Sequence, residues 1–254
     1  FYRGAIPFFV VLSALLIFYK KNFLKALVNV GYVGIFYIIS FSVCNITFIV
    51  SIQNTNVANT LIMIALAPML SAILGAIFLK EMPDKKTWLA ILITLLAVLY
   101  IFYDSTQIGN FFGNIMGLVT ASGLAVNAVL IRSAKERDLL PSAVIGKLCV
   151  AIFAFFFVDS FELNGKDIIY VPLMCIVCVA IPFVLVTIAP RFIPAEEVNL
   201  FFLLETILGP IWVWLVIKEQ PSLETIIGGS IILATIGIHS FIKLKDNKLV
   251  TIKT

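Results

Sequence analysis

The sequence predicts an all-α polytopic membrane protein arranged as two inverted five-helix repeats, and three observations point there. Hydrophobic residues fill 61% of the 254 positions and charged residues only 13%, against about a quarter charged in soluble domains. Apolar runs of about 17–25 residues recur along nearly the whole chain. Each is long enough to cross a hydrocarbon core of roughly 30 Å as a helix, and strand-like alternation is absent. Finally, residues 53–103 match residues 191–241 when slid by 138 positions without a gap.

Nine spans follow in order. The first, roughly 4–19, is followed by Lys20, Lys21 and Lys25; it lacks the basic start and small-residue cleavage site of a signal peptide. Spans at roughly 27–51 and 57–79 come next, the latter ending at Lys80; that at roughly 87–103 follows Lys85 and Lys86. The span at roughly 113–132 carries Gly113, Gly117, Ala121 and Ala125 four residues apart, a small-residue stripe that lets another helix approach closely. Roughly 142–158 holds Lys147, 168–189 holds Cys175 and Cys178, 196–217 holds Glu205, and 223–242 closes the series. All connections are short, so neighbouring spans form antiparallel hairpins and no loop can hold a soluble domain.

Basic residues set the orientation, because short loops rich in Lys and Arg stay cytoplasmic. With the loop after the first span inside, the inner loops hold Lys20, Lys21, Lys25, Lys80, Lys85, Lys86, Arg132, Lys135, Arg137, Arg191, Lys243, Lys245, Lys248 and Lys253. The outer loops hold only Lys166 and Lys218. The C-terminal tail, 243–254, is therefore expected in the cytoplasm. The net charge of +4 is topological and implies no nucleic-acid partner.

The repeat is densest at a charged corner. "LKEMPDKKT" (79–87) falls on "IKEQPSLET" (217–225), which pairs Lys80 with Lys218, Glu81 with Glu219, Pro83 with Pro221 and Thr87 with Thr225. Lys80 is assigned inside and Lys218 outside, so the copies are inverted, as in many secondary transporters. Inversion needs an odd number of spans per unit. The second unit, 113–242, has five and the first, 1–103, shows four, so a tenth span is expected upstream of Phe1.

These features resemble the EamA-type branch of the drug/metabolite transporter superfamily. The resemblance is carried by "LLETILGPIWVWLVIKEQPS", the Gly-rich "IIGGSIILATIGI", the first-unit counterpart "LAPMLSAILGAIFLKEMP" and the joining segment "APRFIPAEEVNLF". It implies ten helices in two inverted units around a central cavity. It further implies movement of small metabolites, often amino acids or related compounds, with export favoured, in a bacterial-type inner membrane. The family usually follows its membrane glutamate with proline; here Thr206 follows Glu205, and Pro210 makes the break.

Glu205 is the leading site candidate. Entering from the cytoplasm near Ala195, it lies about 15 Å deep, near the midplane, where an ionised carboxylate is costly unless paired or wetted. Helical spacing puts Phe201, Phe202, Leu208, Gly209 and Trp212 on its face. It either anchors a substrate ammonium or carries a proton, or it braces backbone groups freed by the Gly209–Pro210 break. The first-unit break at Pro68 has Ala67 before it and no acid. Lys147 is the expected partner of Glu205, with snorkelling to the headgroups as the alternative. Arg3 either faces the outer vestibule, as the resemblance implies, or anchors the interface. Asn45, Asn127 and Asn199 either line a polar path or bond between helices; His239 is expected to be an interfacial or packed residue.

No phosphate loop, zinc motif, nucleophile elbow or spaced acid pair is present, so no cofactor or metal is expected and no enzyme activity. The four cysteines lie in apolar runs as packing residues. Small-molecule substrate and lipid are the expected partners. An integral membrane enzyme on lipid-linked substrates, or a non-transporting structural subunit, are the competing readings; the first should show interfacial Asp, His or Arg clusters, and the second has no need of an inverted repeat.

Overall fold

The computed structural model describes residues 1–19, 28–108, 110–134, 137–158, 160–188, 208–209, 211–218 and 221–251. Among the described residues there is helix and no strand. Six segments are long and apolar enough to cross a membrane: Tyr32–Asn54, Val57–Leu79, Lys85–Tyr103, Phe111–Ala134, Asp167–Leu185 and Leu223–Ile242. Two shorter apolar helices, Tyr2–Ile17 and Leu140–Phe155, accompany them. The chain is an all-α polytopic membrane protein. Eight of the nine expected spans are accounted for; most of the ninth, 196–217, lies outside the described residues.

The helices are α1 (Tyr2–Tyr19), α2 (Tyr32–Asn54), α3 (Val57–Ile64), α4 (Ala67–Leu74), α5 (Lys85–Ile108), α6 (Phe111–Ala134), α7 (Leu140–Phe155), α8 (Asp167–Met174), α9 (Ile181–Ile188) and α10 (Leu223–Thr251). Their outer faces carry the bulk. On α5, Leu89, Leu92, Leu96 and Leu99 are exposed while Ala90, Thr94, Ala97, Val98 and Ile101 are buried. Lipid is as apolar as leucine, so association rests on close packing of small residues, and large side chains are left for the acyl chains.

Two compact units arise, each drawn from both halves of the chain. The first comprises Phe1–Ile46 and Leu130–Ile193, the second Thr47–Val129 and Pro194–Thr254. In the first, α1 lies against α7. A Cβ on Gly4 would stand 2.8 Å from the Ala151 nitrogen and 3.1 Å from the Lys147 carbonyl, an approach only glycine permits. Phe8, Val11, Leu15, Leu140, Val144 and Ala180 form the core beside it.

The second unit contains the small-residue stripe of α6, which is a packing face. A Cβ on Gly113 would stand 2.5 Å from the Asn54 carbonyl, one on Gly117 would stand 3.1 Å from Met63 Cβ, and Ala121 and Ala125 are fully buried. The expected break at Pro68 falls between α3 and α4. Pro68 sits in the first turn of α4, where its missing N–H is harmless, and Leu66 N bonds Met63 O at 3.1 Å in a tightened turn.

α5 and α10 pack antiparallel. Thr87, at the start of α5, meets His239 in the second half of α10, whereas Gly228, early in α10, seats against Ile101 and the Ala97 carbonyl. The residues preceding these helices repeat in form. A five-residue π-helical turn, Gly75–Leu79, ends in Lys80 at φ 57°; another, Val213–Ile217, ends in Lys218 at φ 62°. Asp84 Oδ1 then accepts the Thr87 N–H at 2.7 Å, and Ser222 Oγ the Thr225 N–H at 3.2 Å. Both are N-cap bonds, and they open α5 and α10 respectively.

Candidate polar sites within each unit

In the first unit the polar centre is Lys147, midway along α7. It is only 5% exposed, so it does not snorkel to the headgroups. Its Nζ donates to Asn45 Oδ1 at 2.7 Å. Asn45 is itself fixed, because its Nδ2 donates to the Phe41 carbonyl one turn back at 2.8 Å. The ammonium lies 5.1 Å from the centre of the Phe41 ring and 5.6 Å from that of Phe183, within the range of cation–π attraction. Glycine lets Phe41 reach this place: a Cβ on Gly146 would be 2.7 Å from Phe41 Cδ1. Ser42 Oγ adds a bond to the Gly146 carbonyl at 3.1 Å, so α2 and α7 are joined twice within one turn. Arg3, half-buried at the start of α1, is near enough to Lys147 for the two positive charges to repel.

The second unit holds a neutral network. Thr55 Oγ1 donates to Asn114 Oδ1 at 2.8 Å, Asn59 Nδ2 reaches the same oxygen at 3.4 Å, and Thr225 Oγ1 donates to Asn59 Oδ1 at 2.7 Å. Ser51 Oγ donates to the Gly113 carbonyl at 2.8 Å and shares a hydrogen bond with Thr60. These bonds tie α2, α3, α6 and α10. Away from that network, Thr87 Oγ1 donates to Asp84 at 2.6 Å and meets His239 Nε2 at 2.8 Å. His239 is half-buried and held by this bond.

Of the remaining candidates, Asn127 is 6% exposed and its Oδ1 has no hydrogen-bond partner among the described residues. Gly209 is half-buried, and a Cβ there would meet the tip of Leu61 at 2.7 Å. Trp212 is 60% exposed. Glu205, Phe201, Phe202, Pro210 and Asn199 lie outside the described residues, and with them the aromatic wall and the proposed pairing of Glu205 with Lys147. All four cysteines are free thiols, Cys44 and Cys175 buried, Cys149 half-buried and Cys178 exposed.

Sequence reasoning did not single out Phe41, Phe183, Thr55, Asn59 or Asn114. Two signals were present. Asn114 directly follows the first glycine of the stripe, and Thr225 is one of the identities at the repeated corner.

Fold and buried polar groups together describe a membrane protein whose interior offers hydrogen-bonding groups at several depths, the class to which solute carriers belong. The chain belongs to the EamA-like transporter family, whose model matches residues 1–103 and again residues 111–241. No curated protein matches it significantly. Membership makes the chain a membrane transporter of the drug/metabolite type, acting on small molecules in a lipid environment.

Proposed function

We propose that the chain is a secondary transporter that moves amino acids or related amines across a bacterial-type inner membrane, export favoured. It works by alternating exposure of a central cavity between two inverted repeats, 1–103 and 113–242, with the tail 243–254 in the cytoplasm. One observation carries this reading. The helices that correspond at an offset of 138 residues, α5 and α10, begin with the same turn, lysine and cap, yet pack antiparallel. Antiparallel packing of equivalent helices is what inversion requires, and inversion supplies the two opposed, near-equivalent states that alternating access needs.

The basic-residue topology supports the orientation. Ends assigned to one side meet: Thr87 with His239 on the cytoplasmic side, and Asn59, Asn114 and Thr225 on the outer side. Within the cavity we assign Glu205, Phe201, Phe202, Trp212, Asn127, Lys147 and Arg3 to the substrate, and Pro68, Gly209 and Pro210 to the helix breaks. The buried Asn127 oxygen suits a substrate ammonium or hydroxyl donor.

Purified protein in liposomes loaded with a radiolabelled mixture of the twenty amino acids and phenethylamine should release label faster than empty vesicles. Equal release would defeat the reading. Glu205→Gln and Glu205→Ala separate the two roles of that residue: folded protein with lost flux supports a substrate or proton role, while full flux in both removes Glu205 from the mechanism.

A further inference from the structure

We infer that Lys147, positioned by Asn45 between the rings of Phe41 and Phe183, is the binding point for a carboxylate group of the transported compound. The inference rests on the transporter reading and narrows it, from amino acids or amines to compounds that carry a carboxylate on an apolar or aromatic body.

An ammonium has three donors and a full charge. Asn45 takes one donor and neutralises nothing, because its amide is neutral. The two rings attract the cation through their faces but are weak acceptors. An aspartate in place of Asn45 would have closed the site as an internal ion pair; asparagine holds the ammonium in position and leaves its charge to be met from elsewhere. The acids in the described part of this unit cannot meet it. Asp138 and Glu162 lie in connections, and Asp167 is the first residue of α8. Arg3, on α1, is a charge of the same sign that acts on Lys147.

Two cations sharing a low-dielectric interior are costly, and an arriving anion removes that cost. A carboxylate accepts charge-assisted bonds from the remaining lysine donors, and Phe41 and Phe183 make the surroundings of that ammonium apolar and aromatic. Gly146 sets the room beside Phe41, since any larger residue would push that ring aside.

Phenylacetate and phenethylamine are the probes, titrated into the detergent-purified full chain by calorimetry. Phenylacetate is expected to saturate one site and phenethylamine to bind about tenfold or more weakly. Lys147→Met should weaken phenylacetate by about tenfold or more, whereas Lys147→Arg keeps the charge and stays within a few-fold of the wild type. Asn45→Asp is the decisive companion. It supplies an internal carboxylate to the same ammonium, so phenylacetate binding should be lost while the protein elutes as a folded species with an unchanged or higher thermal midpoint.

Unaltered phenylacetate binding in folded Lys147→Met, or no binding to the wild type, overturns the inference. Binding that emerges only in Glu205→Gln also overturns it, by showing that the lysine is neutralised by the protein's own acid. Displacement of phenylacetate by phosphatidylserine in mixed micelles would assign the site to a lipid headgroup and equally overturn it. The transport reading fails separately. Binding that depends on Lys147 without flux in liposomes defeats transport alone, and flux of amino acids untouched by Lys147→Met defeats the carboxylate site alone.

Discussion

In the second unit, Thr55, Asn59, Asn114 and Thr225 sit at 8% exposure or less and bond to one another through neutral groups. In the first, Lys147 is buried as deeply, but it is charged and is offered one neutral acceptor and two ring faces. Each member of the neutral set finds its partner inside the protein, so the set specifies which helices meet. Among the described residues the lysine meets no acid, which is the pattern that the proposed carboxylate site would use. The contrast separates polar groups that shape a membrane bundle from those that work in it.

Substitutions can break this comparison, and the largest effect belongs to the helix contact beside the neutral network. Gly113→Leu drives a side chain into the Asn54 backbone, which cannot yield, and is expected to abolish the monodisperse peak in size-exclusion chromatography. Asn114→Leu comes next. It removes the acceptor of the Thr55 hydroxyl and leaves Asn59 Nδ2 a single 3.4 Å bond to Thr55 Oγ1, and should cost about 1–3 kcal/mol in a detergent unfolding titration. Lys147→Met should go the other way, leaving stability unchanged or about 1 kcal/mol higher while flux falls. If Asn114→Leu stopped flux without loss of stability and Lys147→Met unfolded the protein, the two roles would have to be exchanged.

Smaller effects sharpen the likeness between the two corners. Asp84→Ala and Ser222→Ala each remove an N-cap and should each lower stability by about 1 kcal/mol; the former also releases a Thr87 hydroxyl bond. Lys80→Gly and Lys218→Gly relieve left-handed backbone at φ 57° and 62°, and each should gain about 0.5–1 kcal/mol. A gain at one corner alone would mean that the matching geometry hides different strain.

Most of the architecture was legible because hydropathy reports membrane burial directly. The expected span at 113–132 became Phe111–Ala134, and that at 87–103 became Lys85–Ile108. The likeness of the two corners was legible because Lys80 and Thr87 have identical partners in Lys218 and Thr225, and those positions carry the left-handed turn and the capped N–H. The sites were less legible. Whether Lys147 turns inward or snorkels depends on a helix 102 positions away, and no local pattern encodes that. Asn114 bonds residues 55 and 59 positions away, which sequence spacing cannot reveal. The π-helical turns also left no mark, because an i→i+5 turn has no residue code.

Those turns mark where a helix stops. At Gly75–Leu79 and Val213–Ile217 the backbone widens immediately before Lys80 and Lys218, at φ 57° and 62°. A left-handed residue cannot continue a right-handed helix, so each corner fixes, to the residue, the length of the helix that precedes it.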